Sequence, residues 1–252
     1  MARVINMDLN PKHDNLMLML QNVEARFVHD DDGRIISLNR WYGGDAPLFF
    51  LGRTNMGNIW RFRHDVPLEL VVKLTRYCTE EPFTTDSENG PMHREKYEQL
   101  FAKHSGTVSV REGISYICGN DLNLPNSTTV NIDEITVVKI NETTSHLLEG
   151  CMNDWLPDVP HTHPFIAIVK DGQAVCVCGS ARISDNAHHA GVETVPEYRR
   201  KGYAAQAVSA WASAVRDLGA NPLYAHSLDN IASQNVARRL GMEIIGTDYF
   251  IN

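Results

Sequence analysis

One segment near the C-terminal end, residues 191–205 with the sequence GVETVPEYRRKGYAA, constrains the fold more than any other. Residues 192–195, three of which are β-branched, predict a strand, which the following proline ends. Two arginines, a lysine and a glycine (residues 199–202) come next, and residues 203–218 then keep the apolar spacing of an amphipathic helix. A strand that passes through a basic turn into a helix is typical of a layered protein that contains both helices and strands.

The same strand–turn–helix segment has the chemistry of a phosphate site. The first N–H groups of a helix have no intrahelical partner, and the helix dipole places partial positive charge beside them. We therefore expect a pyrophosphate on the backbone of Lys201, Gly202, Tyr203 and Ala204, where Gly202 lacks a Cβ that would block access. The alternative is a solvated basic turn, but cations at a helix start oppose the dipole unless an anion is bound there.

Two motifs resemble those of a known family, the GNAT superfamily of N-acetyltransferases. Residues 199–204 (RRKGYA), preceded by 195–198 (VPEY), are similar to its acetyl-CoA pyrophosphate motif. Residues 230–236 (NIASQNV), followed by 240–242 (LGM), are similar to its second helix motif. The resemblance covers residues 131–252. It implies an α/β (α+β) fold with a mixed, mostly antiparallel sheet flanked by helices.

The resemblance also implies an acetyl-CoA-dependent N-acetyltransferase, with acetyl-CoA as co-substrate. The backbone of Thr194 and Val195 would pair with the pantetheine arm like an added strand. Asn230 would hydrogen-bond the pantetheine or the thioester region, with Ser233 beside it, although Asn230 also suits the N-cap of the helix that follows, and both roles can hold. The residues so assigned to acetyl-CoA are Thr194, Val195, Arg199, Arg200, Lys201, Gly202, Tyr203, Ala204, Ala205, Asn230 and Ser233.

Catalysis of such a transfer needs a base that takes a proton from the acceptor ammonium. Glu193 is our candidate because it lies on the strand that leads into the thioester site; a solvated glutamate at a strand edge is the alternative. His188 and His189, at the start of that strand, are further candidates, and His226, at the end of the next strand, is a weaker one.

The sequence does not single out one residue as the proton donor to the leaving thiolate. Many members of the family carry a tyrosine one position after the equivalent of Val236, and here that position is Ala237. Three hypotheses stay open: another group supplies the proton, the thiolate leaves unassisted because a free thiol is acidic enough, or the chain is an inactive acyl-CoA binder.

Residues 119–128 (GNDLNLPNST) have the composition of a linker. They divide the chain into an N-terminal α/β domain, residues 1–123, and a GNAT domain, residues 124–252. Both halves carry a strand–Asp-Gly–strand unit, at 32–33 and 171–172, so the N-terminal domain is a candidate for a degenerate GNAT-like repeat. We expect it to wall off part of the acceptor cleft.

Periodicity and turn residues predict the remaining elements. Helices are expected at 13–23, from 67 onwards, and at 93–103, 142–153, 203–218 and 231–240. Strands are expected at 26–29, 34–38, 47–51, 59–63, 107–111, 114–118, 132–140, 165–169, 173–182, 189–195 and 222–227, with a final pair within 244–251.

Charge and composition restrict the partners. The net charge of −8 disfavours nucleic acid, whose binders are basic, and an acidic mouth would favour a small cationic amine, amino acid or antibiotic-like acceptor. No apolar run is long enough to span a membrane, and the five cysteines lack CxxC spacing, which together indicate a reduced, cytoplasmic protein. A protein or peptide acetyltransferase and a non-enzymatic acyl-CoA sensor remain alternatives.

Three other patterns favour structural roles. His161 and His163 have the spacing of metal ligands without an obvious third ligand, so we expect no metal site. Cys176 and Cys178 are expected in the core. The aromatic residues at 41–42 and 60 are interpreted as packing within the N-terminal domain, with a ligand platform as the alternative.

Overall fold

The computed structural model describes residues 14–120, 122 and 135–252. Its helices are α1 (Asn15–Arg26), α2 (Leu68–Glu80), α3 (Arg94–Ser105), α4 (Tyr203–Asp217) and α5 (Ile231–Leu240). Its strands are β1 (Phe27–His29), β2 (Ile35–Leu38), β3 (Phe49–Arg53), β4 (Asn58–Phe62), β5 (Val110–Ile117), β6 (Ile135–Lys139), β7 (Phe165–Lys170), β8 (Gln173–Ile183), β9 (Ala187–Thr194), β10 (Asn221–Ser227) and β11 (Glu243–Ile251). None of these helices has both the length and the apolar character needed to cross a membrane.

Nine of the strands form one sheet in the order β4-β3-β11-β5-β10-β9-β8-β7-β6. Every neighbouring pair in it runs antiparallel except β9 and β10, which are parallel. β1 and β2 form a separate antiparallel hairpin. The predicted fold class, a mixed and mostly antiparallel sheet flanked by helices, is confirmed.

The sheet joins the two halves of the chain. β5 lies between β10 and β11 and pairs antiparallel with both, so a strand from the first half is inserted among strands from the second. Residues 123–134, which contain the predicted boundary, lie outside the described part of the chain. The division into domains 1–123 and 124–252 and the degenerate repeat therefore stay predictions.

The faces of the sheet carry different layers. α4 and α5 pack on one face around Trp211, and α2 and α3 cover the same face over β3 and β11. α1 packs on the opposite face. Two short 3-10 helices, Ser145–Leu148 and Asn153–Asp158, cover that opposite face over β7 and β8. The molecule therefore has one long sheet between two helical layers.

The central helix α4 follows its sequence pattern closely. Its inward residues include Val208, Trp211 and Val215, which are fully buried, and the Trp211 indole donates to the Ser180 hydroxyl at 3.0 Å. Gly219 has φ +82° just past the helix end, the left-handed conformation in which glycine often ends a helix. Leu218, which the pattern placed in the apolar stripe, is exposed.

The predicted helix at 142–153 is wrong, because the two 3-10 helices replace it. Asn141 accepts the backbone N–H of Thr143 at 2.9 Å, and the Thr144 hydroxyl donates to the Lys139 carbonyl at 3.0 Å. Such local side-chain bonds compete with helix formation. Gly150, at φ +91°, separates the two turns.

Two strand predictions also need correction. The strands expected at 107–111 and 114–118 form the single strand β5, since Gly113 is a close strand contact and not a turn: a Cβ there would lie 2.5 Å from the His226 carbonyl oxygen. The pair expected within 244–251 is the single strand β11, which carries a register shift between Ile244 and Gly246.

Candidate active site

The two parallel strands separate halfway along their length. β9 and β10 pair only at three positions, from Ala187 opposite Asn221 to His189 opposite Leu223. Beyond them β9 stays paired with β8 up to Thr194, and β10 stays paired with β5 up to Ser227. A gap therefore opens in the sheet between residues 190–194 and 224–227, and backbone groups on its edges face no neighbouring strand there.

The basic turn lies at the end of β9. Arg200 and Gly202 have φ values of +64° and +86°, which turn the chain sharply into α4. Gly202 is the N-cap of α4, with no side-chain cap and no acidic residue in the first turn. The first N–H groups of α4 are thus presented next to the open edge of β9, as the sequence predicts.

Side chains in this turn are arranged around the helix start. The Arg199 guanidinium donates to the Thr194 carbonyl at 3.2 Å, and the Lys201 ammonium lies 4.9 Å from the ring centroid of Tyr198. Tyr203 and Ala205 turn their side chains into the core, and Ala204 is half-buried. Only the backbone of these last three residues is therefore suited to contact a phosphate.

A fourth cation, which the sequence reasoning missed, completes this site. The Arg239 guanidinium, from the last turn of α5, lies over Gly202: a Cβ on that glycine would be 3.0 Å from Arg239 Nη2. Within the described residues, neither Arg239 nor any cation of the turn at 199–201 forms an ion pair with a carboxylate. The only signal in the sequence was a basic residue two positions before the glycine at 241.

Other residues assigned to acetyl-CoA are partly engaged within the chain. The Val195 N–H donates to the Val175 carbonyl at 3.0 Å, and the Thr194 hydroxyl donates to Cys176 Sγ at 3.1 Å. Asn230 caps α5 by accepting the Ser233 N–H at 3.0 Å, which confirms its capping role. Contact of these residues with a cofactor stays a prediction.

A cavity of about 520 Å³ opens at the gap on the α1 face of the sheet. Both strands of the gap line it, through residues 189–190 of β9 and 225–227 of β10. The first half of the chain contributes much of the wall, and its role in closing an acceptor cleft stays a prediction. Its contributions are Arg26, Arg40, Trp41, Tyr42, Arg111, Glu112 and Gly113.

An aromatic group forms one side of this cavity. Trp41 stacks on His161 with ring centroids 4.5 Å apart, and its indole donates to Asp158 at 2.5 Å. Trp41 and Tyr42 are 49% and 60% exposed, so the interpretation that they pack in a core is wrong. Trp60 does pack against the buried cluster of α2 and α3.

Glu193, the predicted base, lies on the same face of the sheet as the cavity. It is exposed, and the Trp155 indole donates to its Oε2 at 2.7 Å. Trp155 itself lines the cavity, whereas Glu193 contacts Trp155 and does not line the cavity. The structure therefore orients the carboxylate without bringing it into the cavity wall, and its catalytic role stays a prediction.

The histidine candidates separate by position. His188 faces α4, with Nδ1 2.9 Å from the Ser180 hydroxyl, and burial lowers its pKa. His189 lines the cavity, but burial and then the nearby Arg26 and Arg182 hold its pKa well below the usual range. His226 lies at the edge of the gap, with Nε2 3.0 Å from the Tyr116 hydroxyl.

Two other predicted pairs have no catalytic arrangement. Cys176 and Cys178 are fully buried against α4 as predicted, and burial raises the pKa of Cys176 to about 12, which disfavours a thiolate. In the described part of the chain, histidine, cysteine and carboxylate side chains form no group of three or more that could hold a metal.

The parallel strands that separate beside a basic helix N-terminus define the class of fold that the two motifs implied. Residues 165–248, which contain both strands and α4, match a family model described as GNAT acetyltransferase. This region of the chain matches the GNAT family, and the recognition made from the motifs is confirmed. Among curated proteins, none matches the chain.

Several solved structures are similar in fold. A GCN5-related N-acetyltransferase-like protein from Streptococcus suis is 15% identical, over 82% of this chain and 85% of that chain, with a TM-score of 0.47. A GNAT-family acetyltransferase from Colwellia psychrerythraea is 12% identical, over 94% and 96%, with a TM-score of 0.46. A GNAT-family protein from Novosphingobium aromaticivorans is 18% identical, over 57% and 66%, with a TM-score of 0.44. The family assignment depends on the sequence match and not on these similarities.

Proposed function

We propose that this protein is an acetyl-CoA-dependent N-acetyltransferase whose acceptor is the amine of a small molecule. One observation carries the proposal: the basic N-terminus of α4 and the cavity of about 520 Å³ both adjoin the gap between β9 and β10. A cofactor whose phosphates bind at the helix start thereby reaches the cavity through the sheet. The family match of residues 165–248 supports the same activity.

The residues at the helix start fit the pyrophosphate of acetyl-CoA. Gly202 and the Arg239 guanidinium form a cradle that any Cβ on the glycine would fill. Backbone donors of residues 201–204, with Arg199, Arg200, Lys201 and Arg239 around them, would neutralise the phosphates. The open edges of the gap would hold the pantetheine arm, and Asn230, which lines the cavity, lies at its mouth. Bound there, acetyl-CoA supplies the activated acetyl thioester.

The chain's own residues would then manage the acceptor and its proton. The acceptor ammonium first loses a proton to the base, for which Glu193, oriented by Trp155, is the candidate. Attack of the freed nitrogen on the acetyl carbon would break the carbon–sulfur bond. The nitrogen would then give up its second proton to leave the amide, and the departing thiolate would take up one proton. His226, at the edge of the gap, is an alternative proton carrier.

A second candidate function is a non-enzymatic acyl-CoA sensor. The observation that favours it is Ala237, which is buried and cannot donate a proton to a thiolate. Both functions require acetyl-CoA to bind, and only the enzyme releases CoA when an amine is supplied. The two functions are therefore separable by one assay.

We also propose a reducing, cytoplasmic compartment. All five cysteines are free, and four of them are buried. No disulfide links any of them, whereas many exported proteins are stabilised by disulfides.

The test has two stages. Acetyl-CoA at a hundredfold excess over its Kd is expected to stabilise the native chain by about 2.7 kcal/mol, seen as a rise in Tm. A panel of small amines is then supplied with acetyl-CoA, and free CoA is measured with a thiol reagent. A rise in Tm together with CoA release supports the enzyme. A rise without release for any amine supports the sensor, and an unchanged Tm contradicts both.

A further inference from the structure

The cavity wall contains four arginines, and only one of them is neutralised. The Arg26 guanidinium donates to the Asp248 carboxylate at 2.8 Å and to the side-chain oxygen of Asn22 at 2.9 Å. Its position is therefore fixed by partners within the chain. Arg40, Arg111 and Arg182 also line the cavity. In the described part of the chain none of these three forms an ion pair with a carboxylate.

Arg182 is the most confined of the three. It follows a register shift in β8, pairs with His189 of β9 and is half-buried. No hydrogen bond from its guanidinium to another described residue is found, and the charges that act most strongly on it are the like charges of Arg40 and Arg26. Burial and then these two arginines lower its pKa. Since a guanidinium keeps its proton, the lowering reflects a cation in an unfavourable place that a bound anion would relieve.

The other two arginines are held by aromatic rings. The Arg111 guanidinium carbon lies 5.0 Å from the ring centroid of Phe250. The Arg40 guanidinium donates to the Tyr42 hydroxyl at 2.9 Å. A guanidinium that packs against a ring is oriented while most of its N–H donors stay free to bind an anion.

The carboxylates of the wall do not balance these charges. Asp248 is paired with Arg26, and Glu112 is paired with Arg94 at 2.8 Å. Asp158 accepts the indole N–H of Trp41. The chain carries a net charge of −8, yet this cavity has an excess of positive charge. The expectation of an acidic mouth for a cationic acceptor therefore does not apply here.

We infer that Arg40, Arg111 and Arg182 bind a carboxylate of the acceptor, which makes the acceptor an amine of the amino-acid class. The amine must reach the gap while the anion contacts the arginines of the same cavity, so both groups belong to one small molecule. Guanidinium groups match a planar carboxylate with paired hydrogen bonds. Trp41, Trp155 and Phe250 provide apolar surface for the side chain of such an acceptor.

This inference rests on the proposed function, and matched acceptors test it. Each proteinogenic α-amino acid is compared with the amine that lacks its carboxylate, for example phenylalanine with 2-phenylethylamine, by CoA release in the presence of acetyl-CoA. At least one amino acid is expected to exceed its matched amine by about tenfold or more in kcat/KM, which corresponds to 1.4 kcal/mol. Equal rates for each pair, or no release with any amino acid, would overturn the inference.

Phosphorylated amines form a separate arm, because arginine also binds phosphate. β-Alanine and phosphoethanolamine have similar length and differ in the anion. A kcat/KM for phosphoethanolamine above that of every carboxylated acceptor would overturn the assignment of a carboxylate.

Arginine variants connect the preference to these residues. Arg182→Gln and Arg111→Gln are expected to raise KM for the amino acid about tenfold or more and to leave KM for acetyl-CoA and for the matched amine unchanged. Arg76→Gln, at an exposed position of α2, is the control. A readout without turnover is the rise in Tm that the amino acid causes in the presence of CoA, which both cavity variants should reduce. Unchanged values in Arg182→Gln and Arg111→Gln would contradict the assignment.

The two proposals fail in different ways. An unchanged Tm with acetyl-CoA contradicts the acetyltransferase itself. A normal rise with acetyl-CoA, combined with no preference for carboxylated amines, contradicts the role of the arginines alone.

Discussion

The site at the start of α4 and the arginine cavity adjoin the same gap, but the chain builds them differently. The first is formed mostly by one stretch, residues 194–205, with Arg239 added from α5. The second is assembled from separate segments of both halves of the chain. Backbone donors at a helix start depend on local conformation, whereas the charge of a cavity depends on which distant side chains the fold brings together. Variants on each side of the gap should therefore affect different ligands.

The largest expected effect is at Gly202. Gly202→Val should abolish the rise in Tm caused by acetyl-CoA, because the side chain would occupy the cradle beneath Arg239. Gly219→Val is the matched control: it lies at the other end of the same helix, with φ +82° against +86°, and has no atom within 4 Å of a Cβ. Both variants carry the same backbone strain. If Gly219→Val also loses the rise in Tm caused by acetyl-CoA, strain in the helix and not the cradle at Gly202 explains the loss.

The next effect concerns Glu193, the candidate base. Glu193→Gln should lower kcat by roughly 10²–10⁴-fold, the usual contribution of a general base, while acetyl-CoA affinity stays unchanged. The acidic limb of the pH–kcat profile should flatten. Trp155→Phe, which removes the indole donor to Glu193 Oε2, should lower kcat by a smaller factor. A Glu193→Gln variant that keeps the acidic limb of the profile and loses only a few-fold in kcat would exclude Glu193 as the base. His226 would then be tested next.

A smaller effect separates the phosphates from the rest of the cofactor. Arg200→Ala, Lys201→Ala and Arg239→Gln should each weaken acetyl-CoA by about tenfold or more, since charge-assisted hydrogen bonds contribute about 1.5–3 kcal/mol. Binding of S-acetyl-pantetheine, which lacks the pyrophosphate, should change little. Arg238→Gln is the control, because that side chain bonds Asn235. Equal losses for the two ligands would show that the cations act through folding.

The smallest effect is a pH dependence of stability. Burial lowers the pKa of His188 and His189 in the folded chain, so the unfolded chain takes up protons that the folded chain excludes. Their contribution to stability is present above about pH 6.5 and is lost as the pH falls below it. Tm should therefore decline on mild acidification, and the decline should be shallower in His189→Gln. If Tm falls equally steeply with pH in His189→Gln and in the unchanged protein, His189 does not contribute to the pH dependence of stability.

Much of the first site was predictable from the sequence, because its geometry is local. The strand end, the basic turn and the start of α4 follow from residues that are adjacent in the chain. Arg239 was missed since its approach to Gly202 depends on the packing of α5 against α4. The helix predicted at 142–153 failed for the opposite reason: local bonds of Asn141 and Thr144 outweighed the apolar pattern.

The cavity was not predictable in the same way. Trp41 and Tyr42 look like core residues in the sequence. They follow the separate β1–β2 hairpin, and Trp41 is held in the cavity wall by its contacts with Asp158 and His161, which are distant in the sequence. The insertion of β5 between β10 and β11 brings Arg111 next to Phe250, and no periodicity in the sequence indicates that pairing. Overall charge was misleading as well, since a chain of net charge −8 has a cavity rich in arginine.

A crystal structure of the protein with acetyl-CoA tests the central claim most directly. The account predicts the pyrophosphate on the backbone N–H groups of residues 201–204, close to Arg239, and the thioester in the gap between β9 and β10 at the mouth of the cavity. A cofactor whose phosphates lie away from the start of α4, or whose thioester does not enter the gap, would contradict it.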